Sequence, residues 1–324
     1  MKVYFLHLDY LKGLAILLMV MGHALAWSYP NWSFLTVNWS SMSPQEFNAS
    51  FVWKIIYSFH MPLLFFVSGF LFYKDKTLTI DLVLQLTLKR IQRLLIPYLT
   101  TGIFVYLLKG YFGYWFFLVL FVLSIIVLLE LYFEERYHVG VRVELFCHFF
   151  MFVILNIVSR LCLKQLPIEF SNFSGIAQYY LSFITGYLLH KYSRFERLVL
   201  SNWAMSISFL SYILLMVIVV YYGYMKLLTI FIPLTAILFL YSLMKKMSDK
   251  GENPSLGGGN SLWQVFYGDL CIPFVFCDTI TCLWGVFAND RKFADKYKSS
   301  TNIFDGDYFN RYFLFSHNGS LDKI

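Results

Sequence analysis

The sequence predicts an all-α protein that crosses a membrane several times. Hydrophobic residues make up 59% of its 324 residues and charged residues only 14%, whereas soluble domains carry about 25% charged residues. Several apolar runs are also long enough to cross a bilayer as helices. These runs are 8–28, 51–73, 93–109, 111–132, 143–162, 173–190, 200–222 and 227–244. We therefore expect a polytopic transmembrane helix bundle with eight spans.

The C-terminal part adds one or two doubtful spans. A further apolar run, 262–287, is interrupted by Asp269, Pro273 and Asp278, and an Asp at a helix centre costs about 2.5–3.5 kcal/mol. The residues after it are rich in charged and turn-forming types. We expect a transmembrane domain over 1–250 and a divergent tail over 251–324.

The distribution of Lys and Arg predicts the orientation. With the N-terminus in the cytoplasm, the inner loops hold thirteen of these residues and the outer ends five, as the positive-inside rule requires. The net charge of +7 is spread over short clusters between apolar runs. The expected partner of the chain is therefore membrane lipid, with no nucleic acid.

The five cysteines have irregular spacing. They form neither a disulfide framework nor a Cys-x-x-Cys metal motif. We expect mostly buried thiols and no metal.

The first span carries three ionisable residues, Asp9, Lys12 and His23. Such groups are costly in a membrane and usually mark a functional site. Lys12 and His23 are eleven residues apart, so a helix places them on one face about 16 Å apart in depth. Asp9 lies one turn before Lys12. We expect this face to line a reaction channel.

The second span contains His60 and Pro62. With opposite helix directions, His23 and His60 differ in depth by about one turn, so the two imidazoles are expected in one cavity. A packing role for His60 through a helix–helix hydrogen bond is the alternative. Ser68-Gly69 is expected to be a close-packing contact, and His148 and His190 are expected at the membrane interface.

Arg90 and Arg93 lie at the cytoplasmic start of the third span. Arginine forks bind phosphate in a bidentate way, and residues three apart in a helix point in similar directions. Positive-inside anchoring is the alternative explanation.

These motifs together resemble the acyltransferase-3 family of integral-membrane O-acyltransferases. The family's first helix carries a basic residue, ten intervening positions and a His, here Lys12 to His23, although the family more often has Arg at the basic position. The family's other motifs are matched by the segments Asp9-x-x-Lys12-Gly13, Ser58-Phe-His60-Met-Pro62-Leu, Ser68-Gly69-Phe70 and Arg90-x-x-Arg93 followed by Leu95-Ile-Pro97-Tyr98.

The resemblance implies transfer of an acyl group, commonly acetyl from cytoplasmic acetyl-CoA, to a cell-surface or exported carbohydrate. The acceptor would be a surface polysaccharide or its lipid-linked precursor, and the location the plasma membrane of a bacterium. It implies His23 as the catalytic base, with Asp9, Lys12 and His60 completing the catalytic group. Lys12, Arg90 and Arg93 would contact the phosphates of the donor.

The tail departs from the family. Leu256 to Leu262, with Gly257 to Gly259, resembles the start of the family's last helix, which normally continues through a Tyr to a His. Here Trp263, Asp269 and Pro273 follow instead. A frameshift at the glycine codons is one explanation, because the other frame permits a Gly, Ile-Tyr and His pattern. A divergent native tail is the other.

Two rival functions remain open from the sequence. Polytopic proteins with intramembrane charges often transport substrates, so an exporter of a glycan or lipid-linked sugar is one rival. An inactive relative of the enzyme, or a non-catalytic scaffold, is the other.

Overall fold

The computed structural model describes residues 5–28, 44–73, 77–109, 115–161, 175–222 and 228–251. Within these ranges the chain is helical and contains no strand. The helices are α1 (Leu6–Ser28), α2 (Pro44–Phe70), α3 (Ile80–Arg90), a π segment (Ile91–Leu95), α4 (Ile96–Lys109), α5 (Trp115–Arg136), α6 (Val141–Leu161), α7 (Ile176–Lys191), α8 (Ser193–Val199), α9 (Asn202–Tyr222) and α10 (Leu228–Gly251). The predicted all-α class is confirmed.

Each predicted span coincides with a helix, but the described residues support six membrane spans and not eight. The six lie in α1, α2, α5, α6, α9 and α10. The other two predicted spans correspond to α4, with 14 residues, and α7, with 16 residues. At about 1.5 Å per residue α7 is shorter than a hydrocarbon core of about 30 Å. α4 continues from the π segment, and its described range ends at Lys109.

Local signals explain where several helices begin. Thr79 accepts a hydrogen bond from the backbone N–H of Leu82 and so caps α3. Ser201 accepts one from the N–H of Ala204 at the start of α9. Between α5 and α6 the chain turns at His138, whose φ of 49° lies in the left-handed region. This short turn makes α5 and α6 sequential neighbours in a helical hairpin.

The helices group into two compact units. The described residues up to Val67 and those from Ser193 onward form the first unit, and Ser68–Tyr192 forms the second. In the first unit α10 packs against α1 and α9, with Leu11, Leu63 and Ile237 fully buried. In the second unit α6 packs against α7, and α5 against α3 and the π segment. The predicted run 262–287 and the tail lie outside the described residues.

Candidate active site

The start of α1 carries an ion pair between Asp9 and Lys12. Lys12 Nζ donates to Asp9 Oδ1 over 3.0 Å, and the two side chains are partly exposed. Such a pair contributes at most about 1 kcal/mol to stability. An ammonium group has three N–H donors, so this pair leaves Lys12 capacity for a further anionic acceptor.

His23 lies on the same helix, eleven residues after Lys12. Because α1 runs unbroken from Leu6 to Ser28, helix geometry separates these two residues by about 16 Å along the axis. It also places them within about 20° of one face. The unbroken helix therefore gives Lys12 and His23 the spacing expected from the sequence. His23 is half-buried near the C-terminal end of α1.

Tyr57 of α2 connects the two predicted histidines. Its ring centroid lies 6.4 Å from that of His23 and 4.7 Å from that of His60, both in edge-on arrangements. Gly22 permits this approach, because a Cβ added there would lie 2.7 Å from the Tyr57 ring. The structure thus brings His23 and His60 against one aromatic side chain.

His60 has a defined tautomer. Its side chain is buried, and Nδ1 lies 2.9 Å from the backbone carbonyl oxygen of Ile56. A carbonyl oxygen only accepts, so Nδ1 carries the hydrogen and donates it. In the neutral ring the basic position is then Nε2. This arrangement suits proton transfer at Nε2, while Nδ1 holds the ring in place.

Lys54, one of the five basic residues counted at the outer ends of the predicted spans, is a further buried cation. It belongs to α2 and is 3% exposed. A Lys inside an apolar span is itself the signal of a functional position, and Lys54 lies within the predicted run 51–73. Because Lys54 was counted only as a basic residue for the orientation of the spans, its position inside an apolar run was overlooked.

Arg90 and Arg93 lie at the junction of α3 and the π segment. The Arg90 guanidinium carbon lies 4.9 Å from the centre of the Phe72 ring, as in a cation–π contact. Arg90 is half-buried, whereas Arg93 is exposed. Burial lowers the pKa of Arg90, and the neighbouring charge of Arg93 adds to the effect. π segments occur frequently at functional sites.

The two arginines have no acidic partner in the described part of the chain. The ion pairs found there involve other residues. Two neighbouring cations without a carboxylate repel each other, and an anion bound between them removes that repulsion. The arrangement fits an anionic ligand such as phosphate.

Sequence analysis missed a buried group of carboxylates on the α5–α6 hairpin. Glu130 and Glu134 are four residues apart on α5, and Glu144 and His148 are four apart on α6. Residues at this spacing share a helix face. All four side chains are buried against protein, and the expectation of His148 at the membrane interface stays a prediction. The sequence signal for this group was the presence of two ionisable residues four positions apart on each side of a short turn.

One side of this group is neutralised by α7. Lys191 Nζ donates to both carboxylate oxygens of Glu144 over 2.8 Å, and the Tyr192 hydroxyl donates to Oε2 over 2.5 Å. Next to it, His190 Nδ1 donates to the carbonyl oxygen of Phe70 over 2.6 Å and stacks on the Phe70 ring. His190 therefore joins α7 to the end of α2.

The helices define a protein with several candidate membrane spans, and comparison with known proteins identifies its class. The acyltransferase-3 family model, which describes an acyltransferase domain, matches residues 5–267. The match covers most of the chain, which therefore belongs to the acyltransferase-3 family, as the motifs of the first hundred residues predict. No curated protein and no solved structure matches the chain.

Proposed function

We propose that this protein is a multi-pass O-acyltransferase of the bacterial plasma membrane, with a cytoplasmic N-terminus and α4 and α7 completing eight spans. It moves acetyl from cytoplasmic acetyl-CoA to a hydroxyl of a cell-surface or exported carbohydrate, either a polysaccharide or its lipid-linked precursor. The observation that carries the proposal is the pair of imidazoles, His23 and His60, at Tyr57 between two apolar helices.

The chemistry requires a base at this position. Attack of a sugar hydroxyl on a thioester needs removal of the hydroxyl proton, and an imidazole titrates in the appropriate range. His23 is the proposed general base. His60, with its Nδ1–H held by Ile56, presents Nε2 as the second proton-transfer group. Asp9 orients Lys12 through the ion pair.

The donor's phosphates require cations. Arg90 and Arg93 supply two neighbouring guanidinium groups without a carboxylate partner among the described residues. Guanidinium forks match phosphate oxygens geometrically. These two residues are therefore the proposed contacts to the phosphates of acetyl-CoA, and Lys12 is the proposed further cation on α1.

The proposal is tested by acetyl transfer in isolated membranes. Membranes containing the wild-type chain are incubated with radiolabelled acetyl-CoA and glycan from the host, and label in the glycan is measured. The His23→Ala variant should lower transfer by about 10²–10⁴-fold, the usual contribution of a general base. Met21→Ala is the matched control, because Met21 is exposed on the same helix and should leave transfer unchanged.

The outcome separates the enzyme from its rivals. Transfer by His23→Ala above a tenth of the wild-type rate contradicts a base at His23. Absence of label with wild-type membranes that contain inserted protein favours an exporter or an inactive relative. Mass analysis of glycan from cells with and without the gene then identifies the acceptor sugar.

A further inference from the structure

The α5–α6 hairpin of the second unit holds three potential metal-ligand atoms close together. His148 Nδ1 lies 2.9 Å from Glu130 Oε1 and 3.8 Å from Glu134 Oε1. One donor atom from each of these three residues lies within 4.8 Å of the other two. Such a group does not by itself make a metal site, since buried carboxylates also occur in hydrogen-bonded networks.

Glu134 supplies the second, independent observation. Its side chain is 9% exposed, yet neither of its carboxylate oxygens has a hydrogen-bond partner among the described residues. A buried carboxylate that accepts no hydrogen bond is unfavourable. The carboxylate lies 3.8 Å from His148 Nδ1 and lines a cavity of about 560 Å³. A cation bound at this carboxylate would offset the cost of its burial.

The charge count of the cluster leads to the same conclusion. When all three are ionised, Glu130, Glu134 and Glu144 carry three negative charges, and Lys191, paired with Glu144, carries one positive charge. Even a protonated His148 leaves the group one negative charge in excess.

The neighbouring groups hold the ligands in place. Tyr180 donates from its hydroxyl to Glu130 Oε2 over 2.7 Å. His148 Nε2 lies 3.8 Å from Glu144 Oε1. His148 Nδ1 donates its hydrogen to Glu130 Oε1 over 2.9 Å, and binding of an ion at Nδ1 would release this proton. Nε2 has no hydrogen-bond partner among the described residues. Of the three proposed ligands, Glu134 lines the cavity.

We propose that Glu130, Glu134 and His148 bind a divalent transition-metal ion that links α5 to α6. One imidazole and two carboxylates form a mixed nitrogen and oxygen donor set of the kind used for Zn²⁺ and Mn²⁺. The proposal departs from the expectation of no metal, which rested on the cysteine spacing alone. It is independent of the acyl-transfer chemistry proposed for α1 and α2.

The experiment measures metal in the purified full-length chain. The protein is purified in detergent with a tag that lacks histidine, dialysed against Zn²⁺ or Mn²⁺, desalted and analysed by mass spectrometry for metal content. We expect about one ion per chain for the wild type. Glu134→Gln and His148→Asn should each lose it, while Glu135→Gln, an exposed neighbour in the same cavity, should retain it.

A second measurement covers variants that fail to fold. An ion that binds the native state raises Tm, so Zn²⁺ or Mn²⁺ should raise the Tm of the wild type and a chelator should reverse the change. No retained metal together with no Tm change in the wild type would overturn the proposal. Metal binding by folded Glu134→Gln equal to that of the wild type would also overturn it. So would an infrared band that shows Glu134 to be a protonated carboxyl group, if Glu134→Gln removes this band and added metal does not change it.

Discussion

Gly69 faces the backbone of Phe183 so closely that a Cβ atom added to it would lie 1.8 Å from the Phe183 carbonyl oxygen. Gly69 belongs to the end of α2 and Phe183 to α7, both within the second unit. Because the obstacle is backbone and not a flexible side chain, neither partner can move aside without shifting a helix. The predicted close-packing role of this position is confirmed.

Substitution of this glycine should therefore be strongly destabilising. Overpacking a core typically costs about 1–3 kcal/mol, and Gly69→Ala should reach the upper end of that range or exceed it. Gly140→Ala is the control, because an added Cβ there meets no atom within 4 Å. Thermal unfolding in detergent measures both. Equal midpoints for the two variants would show that α7 moves freely away from α2.

The tautomer of His60 predicts how its replacements behave. In His60→Asn the amide N–H takes the place of Nδ1–H and donates to the Ile56 carbonyl oxygen, but the variant has no basic Nε2. We expect His60→Asn to retain the thermal stability of the wild type and to lose acetyl transfer by about 10²-fold or more. A variant that folds and transfers acetyl normally would identify His60 as a packing residue.

Lys12 is expected to act through its positive charge. Lys12→Arg retains a cation opposite Asp9 and introduces the residue more common in the family, so it should keep most of the transfer activity. Lys12→Met removes the charge with little change in side-chain length and should lower activity at least about tenfold, since a hydrogen bond to a charged group contributes about 1.5–3 kcal/mol. The comparison uses kcat/KM for acetyl-CoA, measured for both variants and the wild type. Equal activity of both would exclude an electrostatic role for Lys12.

The two arginines should control affinity for the donor. Arg90→Ala combined with Arg93→Ala should raise KM for acetyl-CoA at least about tenfold, because it removes charge-assisted hydrogen bonds to phosphate. Arg90→Lys should restore only part of the affinity, since an ammonium lacks the fork. Lys89→Ala, an exposed neighbour, is the control for loss of a positive charge at this end of the helix. An unchanged KM in the double variant would leave the arginines as topology anchors.

Apolar run length predicted the position of the helices well, because a bilayer sets a minimum span. It could not distinguish α4 and α7 from full spans. A hydropathy run does not show where backbone hydrogen bonding changes, and the π segment, Ile91–Leu95, overlaps the start of the third predicted span. In α7, polar and small residues such as Ser182 and Gly186 are buried against protein. The length of an apolar run does not show whether its residues face lipid or protein.

Those residues of the candidate site that are ionisable and lie inside apolar runs could be predicted from the sequence. Asp9, Lys12, His23 and His60 were found in this way. Glu130, Glu134 and Glu144 were missed, since they lie near the ends of spans, where charged residues ordinarily reach the interface. Their burial depends on α7, which brings Lys191 and Tyr192 to Glu144. Glu144 lies 47 positions before Lys191 and 48 before Tyr192, so these contacts leave no local pattern in the sequence.

The π segment also has a consequence for the phase of the helix that carries the arginines. A π turn closes its hydrogen bond over five residues instead of four, so it adds one residue to an otherwise regular α-helical run from Ile80 to Lys109. The wider π turn accommodates this residue, so α3 and α4 keep nearly the relative phase of an uninterrupted α-helix that is one residue shorter. Without the π turn, the same additional residue would rotate Arg90 by about 100° relative to α4 and away from the Phe72 ring. The direction of this guanidinium therefore depends on where the helix places its additional residue as well as on the residue types around it.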